Sequence, residues 1–215
     1  MSIFYTAFDF LVHISVYLDV LVAYAGGWVY GILFIIIFCE TGLVVTPLLP
    51  GDSLLFAAGA IASRGGLHIG LLIAVLFAAS VLGDTLNYAI GKFFGEKLAR
   101  RPSLIKQEYL ERTRRFFKRY GAKTIILCRF VPIIRTVAPF VAGAGAMTYK
   151  TFMLANLVGA ALWVCSVTLA GYFFANLPFV KNNFTLVLFA VVILSILPAL
   201  IEAAREGRKA GTPTL

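Results

Sequence analysis

The sequence LCRFVPIIRTVAPFVAGAGAM, residues 127–147, decides how the rest of the chain is interpreted. Pro132 and Pro139 interrupt this apolar segment, and Arg129 and Arg135 lie within it. Proline lacks a backbone N–H and clashes with the preceding turn, so we expect no straight helix here. Broken helix at membrane depth persists only inside protein or beside a water-filled cavity, where an arginine is costly and usually functional. The segment therefore predicts a functional centre within a membrane protein.

The composition places the whole chain among integral membrane proteins. Of its 215 residues, 60% are hydrophobic and only 13% are charged, and the mean hydropathy is +0.92. A soluble domain carries about 25% charged residues, so we expect little soluble mass. Residues 1–19 contain no lysine or arginine, and we expect no cleavable signal. We predict an all-α fold with one membrane domain over residues 1–205 and a cytoplasmic tail over residues 202–215.

Runs without charge set the expected number of spanning helices. Four runs of 20, 19, 30 and 20 residues separate charged residues, and a spanning helix needs about 20. We predict four spans, at Trp28–Val45, Ile69–Gly95, Thr151–Ala175 and Phe184–Ile201. The run between Arg135 and Lys150 holds only 14 residues, which fits a re-entrant segment better.

The net charge of +9 is concentrated in one connector. Residues 92–123 hold eleven basic and three acidic residues. Nucleic-acid binding is one interpretation of such a run, but its place between spans fits the positive-inside rule better. We therefore expect no nucleic-acid partner and a cytoplasmic connector over residues 96–120, with an amphipathic helix at 106–120 on the membrane surface, where it contacts anionic lipids. The basic C-terminal tail is cytoplasmic by the same rule, and we expect a cytoplasmic N-terminus as well.

Residues 3–24 leave two structures open. Tyr5, Asp9, His13 and Tyr17 recur every four residues and form one polar stripe along a helix. We favour an amphipathic helix lying in the membrane interface. A fifth span is the alternative.

The two halves of the chain, residues 25–95 and 121–201, repeat a pattern. In each, a cysteine and a charged residue precede a proline-broken segment that ends in small residues, and a span follows. The spacings do not match residue for residue, so duplication is weakly supported. With the connector in the cytoplasm, the broken segments 46–62 and 121–147 enter from opposite faces. Paired broken segments of this kind indicate the midplane site of a transporter.

The charges of the two broken segments are complementary. Asp52 belongs to the first and Glu40 to the helix before it, whereas Arg129 and Arg135 belong to the second. Each alone in hydrocarbon costs roughly 2.5 to 3.5 kcal/mol on insertion scales, so we expect them to meet near the midplane. Arginine forks suit a phosphate group, and a carboxylate beside them can exchange a proton. The alternative is a salt-bridge cluster that only pins the segments together, but buried ion pairs are poor stabilisers, which favours function.

A second polar set lies on the predicted span Ile69–Gly95. Asp84 is three residues from Asn87 and four from Tyr88, so the three share one helix face. We regard them as candidate cavity-lining residues. The alternative is that Asp84 only bonds a neighbouring helix.

Four motifs carry a resemblance to a known family. They are Glu40-Thr41-Gly42, Pro47-x-x-Pro50-Gly51-Asp52-Ser53, Gly83-Asp84-x-x-Asn87-Tyr88, and Arg129-Phe130-x-Pro132-x-x-Arg135-Thr136-x-Ala138-Pro139. The sequence resembles the DedA family of bacterial inner-membrane proteins, which shares the VTT domain with eukaryotic lipid scramblases. The resemblance extends along nearly the whole chain.

The resemblance implies both a fold and a function. It implies an inverted repeat with two facing re-entrant hairpins, and lipid transport that depends on the proton motive force. The implied cargo is undecaprenyl phosphate or a phospholipid such as phosphatidylethanolamine. The acidic pair and arginine pair of the family correspond to Glu40, Asp52, Arg129 and Arg135, which would bind substrate, with the two acids exchanging protons. We expect a multi-pass inner-membrane protein without a cofactor, which is able to form oligomers.

Other functions compete with lipid transport. A proton-coupled ion transporter or antiporter suits the same charges, but its path would be narrow and closed to the bilayer. A lipid phosphatase is disfavoured because His13 and His68 are the only histidines and no motif pairs them for a phosphohistidine. Cys39, Cys128 and Cys165 lie in apolar stretches at spacings that suit neither disulfides nor zinc, so we expect no metal. Without a metal site or a phosphohistidine pair, we expect no enzyme. A scaffold is the remaining alternative.

Overall fold

The computed structural model describes residues 22, 24–43, 51–99, 121–145, 147–178, 180, 187 and 190. Within these residues the regular structure is helical, with no strand. The helices are α1 (Trp28–Gly42), α2 (Gly51–Ser63), α3 (Ile69–Ala99), α4 (residues 121–128), α5 (Pro132–Ala144) and α6 (Tyr149–Phe174). The predictions for residues 106–120, 184–201 and 202–215 lie outside the described part or nearly so, and so does all of the 3–24 prediction except residues 22 and 24.

Two helices are long and apolar enough to cross a membrane. They cover Ile69–Gly95 and Tyr149–Phe174, with 27 and 26 residues, and correspond to two of the predicted spans. The first predicted span is only partly matched, because α1 has 15 residues, ends at Gly42 and is followed by extended Leu43. A helix of that length is shorter than the roughly 20 residues that a span needs.

The predicted break in the second half occurs at one proline and not at the other. α4 ends at residue 128, a turn follows, and Pro132 opens α5 after Val131, which is extended with φ −118° and ψ 106°. Proline suits a first helical position and disfavours helical geometry in the residue before it. The expectation was wrong for Pro139, which lies inside α5. In the turn before Pro139, Asn87 Nδ2 of the neighbouring helix donates to the Thr136 carbonyl at 2.7 Å.

The two halves exchange their short helices. α1 packs along α3 of its own half, but α2 packs along α6 of the second half. In the same way α5, from the second half, packs along α3 of the first, and α3 contacts α6 directly. Each long helix therefore carries a short helix from the other half, which joins the halves into one bundle.

The exchanged contacts repeat in detail. Residues 56–60, FAAGA, pack against 171–174, GYFF, and residues 140–144, FVAGA, pack against 91–94, GKFF. A Cβ on Gly59 would overlap the carbonyl oxygen of Thr168, and one on Gly143 would overlap that of Tyr88. The repeat is therefore in register at its small residues, where FVAGA corresponds to FAAGA. An alignment of the two halves that uses only the small-residue run at the end of each broken segment misses this register.

The three cysteines, Cys39, Cys128 and Cys165, are half-buried and form no disulfide.

Two apolar clusters pack around the buried polar residues. One joins α1, α2, α3 and the middle of α6, and the other joins Tyr88 of α3 to α4, α5 and Phe152.

The glycines at the exchanged contacts should control stability. Gly59→Ala and Gly143→Ala force backbones apart, and overpacking of this kind typically costs about 1–3 kcal/mol. Gly31→Ala is the matched control, since nothing lies within 4 Å of a Cβ added there. We expect thermal denaturation of the purified protein to occur at lower temperature in the first two variants than in the control. Equal melting temperatures in all three would contradict the close packing.

Candidate functional site: two buried arginine clusters

Arg135 lies between two carboxylates that come from the other half of the chain. Its Nη1 donates to Asp52 Oδ1 at 2.9 Å, and its Nη2 pairs with Glu40 Oε1. The exposed fractions of the side chains are 7% for Arg135, 2% for Glu40 and 15% for Asp52. We call these three residues the Arg135 cluster, and Asp52 is its most exposed member.

The ends of two helices position the acids. Glu40 is in the last turn of α1, and Gly51 at the start of α2 donates its N–H to Glu40 Oε1 at 3.3 Å. A Cβ at Gly51 would overlap the Glu40 carboxylate, so only glycine allows this approach. Asp52 lies in the first turn of α2, where the positive end of the helix dipole favours a negative charge.

Arg129 forms a second cluster with Asp84. Its Nη2 pairs with Asp84 Oδ2 and donates to Asn156 Oδ1 at 2.9 Å, while Nη1 donates to Ser80 Oγ at 2.9 Å. Asn156 is itself held by a 3.1 Å bond to the carbonyl of Val81. We call Arg129, Asp84, Ser80 and Asn156 the Arg129 cluster. Both nitrogens at the tip of this arginine are bonded, as a buried charge requires.

One indole ring lies against both clusters. Trp163 of α6 is buried, and the guanidinium carbons of Arg135 and Arg129 are 4.6 and 5.8 Å from its ring centroid. Both distances are within the range of cation–π attraction. Its Nε1 also donates to Asp52 Oδ1 at 2.7 Å.

Asn87 links the backbones that follow two site residues. Its Nδ2 donates to the carbonyl of Thr41, next to Glu40, at 3.1 Å and to that of Thr136, next to Arg135. The bond to Thr41 also satisfies a carbonyl in the last turn of α1, which has few partners within its own helix. Asn87 therefore holds α1 and α5 in the register that lets their charges meet.

Tyr88 belongs to the helix packing. Its hydroxyl donates to the Met147 carbonyl, and its ring stacks on Phe152 with centroids 4.3 Å apart. The structure thus places Asn87 and Tyr88, both expected along a cavity, in contacts between elements. Asp84 pairs with Arg129, which lies in the turn between α4 and α5.

Charges are unequal between the two clusters. The Arg135 cluster has two carboxylates for one guanidinium group, whereas the Arg129 cluster has one carboxylate for one. Within the described residues, Glu40 Oε2 and Arg135 Nε are buried and have no hydrogen-bond partner. The Arg135 cluster is therefore the one with an extra carboxyl group and unused hydrogen-bonding capacity.

The structure brings the predicted charges together in an unexpected pairing. Glu40, Asp52 and Arg135 meet directly, but Arg129 pairs with Asp84 rather than with either predicted acid. Sequence reasoning missed Trp163 and Asn156 as site residues. Asn156 is a polar residue in the charge-free run of α6, which was an available signal, whereas nothing in the sequence distinguished Trp163 from a packing residue.

Among the described residues, no three His, Cys, Asp or Glu side chains are grouped as ligands for a metal ion. The ligating chemistry on offer here is that of guanidinium groups and carboxylates.

Comparisons with known proteins identify relatives along nearly the whole chain. Residues 49–173 match the family model of the VTT domain. The chain is 50% identical to Protein DedA of Escherichia coli over 98% of both chains. It is 44% identical to an uncharacterized membrane protein of Mycobacterium tuberculosis, over 82% of this chain and 79% of that one. It is 35% identical to the inner membrane protein YghB of Escherichia coli, over 83% and 82%. No solved structure matches the chain.

The buried pair of Asp84 and Arg129 should behave as a unit. Asp84→Asn leaves the Arg129 cation without its anion, and Arg129→Gln leaves the Asp84 anion without its cation. Removing one partner of a buried ion pair typically lowers protein stability by about 3–5 kcal/mol. The double variant removes both charges, so we expect it to be more stable than the sum of the single effects predicts. Thermal unfolding of the four proteins measures this coupling. Additive losses would show that the two side chains do not interact.

Proposed function

This chain belongs to the DedA family of VTT-domain membrane proteins, and from that membership and its buried charges we propose that it is a lipid transporter. The cargo proposed is an anionic lipid, undecaprenyl phosphate or a phospholipid, whose headgroup crosses the bacterial inner membrane. Transport is coupled to protons. A membrane location agrees with the names of its relatives, one of which is an inner membrane protein.

In this proposal the short helices form two hairpins that enter the membrane from opposite faces. α1 with α2 forms one hairpin and α4 with α5 forms the other, between spans that include α3 and α6. The exchange of α2 and α5 between halves supports this arrangement, because each packs along a long helix of the other half. In lipid, such ends need protein partners for their backbone groups, and the bond from Asn87 to the Thr41 carbonyl is one.

One observation carries the proposal, the contact of Arg135 with both Glu40 and Asp52. A guanidinium group binds phosphate through the same fork that binds a carboxylate. An anionic headgroup therefore competes with the acids for Arg135. Asp52 is the acid proposed to leave, since its side chain is the most exposed in the cluster.

The net charge of the Arg135 cluster couples headgroup binding to proton uptake. With both acids ionised the Arg135 cluster carries one net negative charge, which repels an anionic headgroup. A proton taken up by either acid removes that repulsion. Glu40 has an oxygen available for it, because Oε1 accepts the bonds of Arg135 and Gly51 while Oε2 has no partner among the described residues. Headgroup and proton would therefore bind together.

The spare carboxylate also favours a second candidate, a proton-coupled ion transporter. A site with net negative charge attracts a cation as well as a proton. The two functions differ in cargo. Vesicles loaded with a sodium or potassium reporter measure ion transport, and vesicles that contain labelled lipid measure lipid transport.

Arg135 is expected to be required for transport. Arg135→Lys keeps the charge and so preserves folding, but it loses the bidentate fork. Hydrogen bonds to charged groups are worth about 1.5–3 kcal/mol, so flipping of labelled undecaprenyl phosphate in proteoliposomes should fall roughly tenfold or more. Arg129→Ala and Arg135→Ala should abolish it.

Lys150→Ala is the matched control, because it removes an exposed cation. It should transport at the parent rate. Unchanged flipping in Arg135→Ala would exclude this residue from substrate binding, and unchanged flipping in Arg129→Ala would show that transport does not need the Arg129 cluster.

Neutralising the acids should separate lipid movement from the proton gradient. Glu40→Gln and Asp52→Asn are single variants, and each leaves one carboxylate and one guanidinium group in the Arg135 cluster. The cluster then has no net charge, so headgroup binding no longer needs a proton. The rate of flipping should then be independent of an imposed pH gradient, whereas the parent protein responds to it. A full response to the gradient in both variants would exclude these acids as the coupling groups.

A further inference from the structure

Trp163 lies against both arginine clusters. It touches members of both clusters, through its ring face toward the two arginines and through its N–H toward Asp52. The Asp52 oxygen that accepts this N–H is the same Oδ1 that accepts Arg135 Nη1. Two donors therefore converge on one atom of the acid that the proposed function requires to leave.

We propose that Trp163 is a positioning residue that makes Asp52 exchangeable. When an anion takes Arg135, the indole N–H stays on Asp52 Oδ1, and the carboxylate keeps a hydrogen bond in a poorly solvated place. The inference rests on the proposed function, because it concerns the exchange of Asp52 for an anionic headgroup on Arg135.

The energetic argument concerns the displaced acid. A buried polar group that loses a partner costs more free energy than the lost bond alone contributed, and charged groups cost most. Without the indole N–H, releasing Arg135 would remove the second of the two donors that converge on Asp52 Oδ1. Anion binding should therefore be weaker, even though Trp163 need not touch the anion.

The ring has a related role for the arginines. The centroid of Trp163 is 4.6 Å from the guanidinium carbon of Arg135, and the electron-rich ring face attracts a cation at that distance. This attraction continues while Arg135 changes partner. A phenylalanine retains much of it and removes only the N–H, so the two contributions can be separated.

The first test measures lipid binding in four proteins: the parent, Trp163→Phe, Asp52→Asn and the double variant. We expect Trp163→Phe to raise the Kd for labelled undecaprenyl phosphate in detergent about tenfold, the effect of losing one hydrogen bond to a charged group. In the Asp52→Asn background the same substitution should change Kd less than about twofold, because the amide carries no charge to be retained. Equal effects in both backgrounds would overturn the proposal, since Trp163 would then act by packing.

Trp163→Phe should elute in size-exclusion chromatography like the parent protein, since it keeps a ring in the core. Trp28→Phe is the matched control, because Trp28 is 81% exposed. Its Kd should equal that of the parent.

The second test examines the contact without any lipid. The chain has two tryptophans, so Trp28→Phe leaves Trp163 as the only indole. Its emission should shift when Asp52→Asn is added, because the acceptor of its N–H changes from a charged to a neutral group. An unchanged emission would overturn the contact itself, whether or not lipid binds. If the emission shifts but the parent protein binds no lipid, the contact is present and the proposed function is overturned instead.

Discussion

The pairing of Arg135 with two carboxylates is the interaction on which the rest of the structure depends. A guanidinium group buried among helices needs anions beside it, and here both come from the opposite half of the chain. That requirement explains the exchange of short helices, which brings the start of α2 and the end of α1 to Arg135. The glycines follow from the same constraint, since Gly51 lets Glu40 approach and Gly59 and Gly143 let the exchanged helices lie close to their partners.

The two arginine clusters differ in what they can release. Arg129 donates to three side chains, and two of those, Asp84 and Ser80, are on one helix. Such a saturated site fixes α4 and α5 against α3 and α6. Arg135 instead bonds two acids, one through each terminal nitrogen, in a cluster with one more carboxylate than guanidinium groups. In the proposed function the fixed Arg129 cluster supports the Arg135 cluster, where the exchange takes place, and the Trp163 ring lies against both.

Much of this could be predicted from the sequence, for reasons that are specific to particular residues. Ile69–Gly95 and the span around α6 were clear because charge-free runs of the right length identify membrane helices, and Pro132 marked the break because its ring fixes the backbone. The partners of Arg129 were not predictable, because a charge pattern shows which signs must meet but not which residues. Pro139 was misjudged because α5 packs along α3 of the other half, a contact that a local pattern does not show. Trp163 gave no signal, since a buried packing tryptophan has the same appearance in sequence.

The most direct measurement of the central claim is an experimental structure of the protein in lipid nanodiscs that contain undecaprenyl phosphate. The account predicts a phosphate group bonded to the Arg135 guanidinium group, with Asp52 displaced from it and still bonded to Trp163. A structure in which the phosphate binds only at the bilayer surface, with Arg135 still paired to both Glu40 and Asp52, would contradict it.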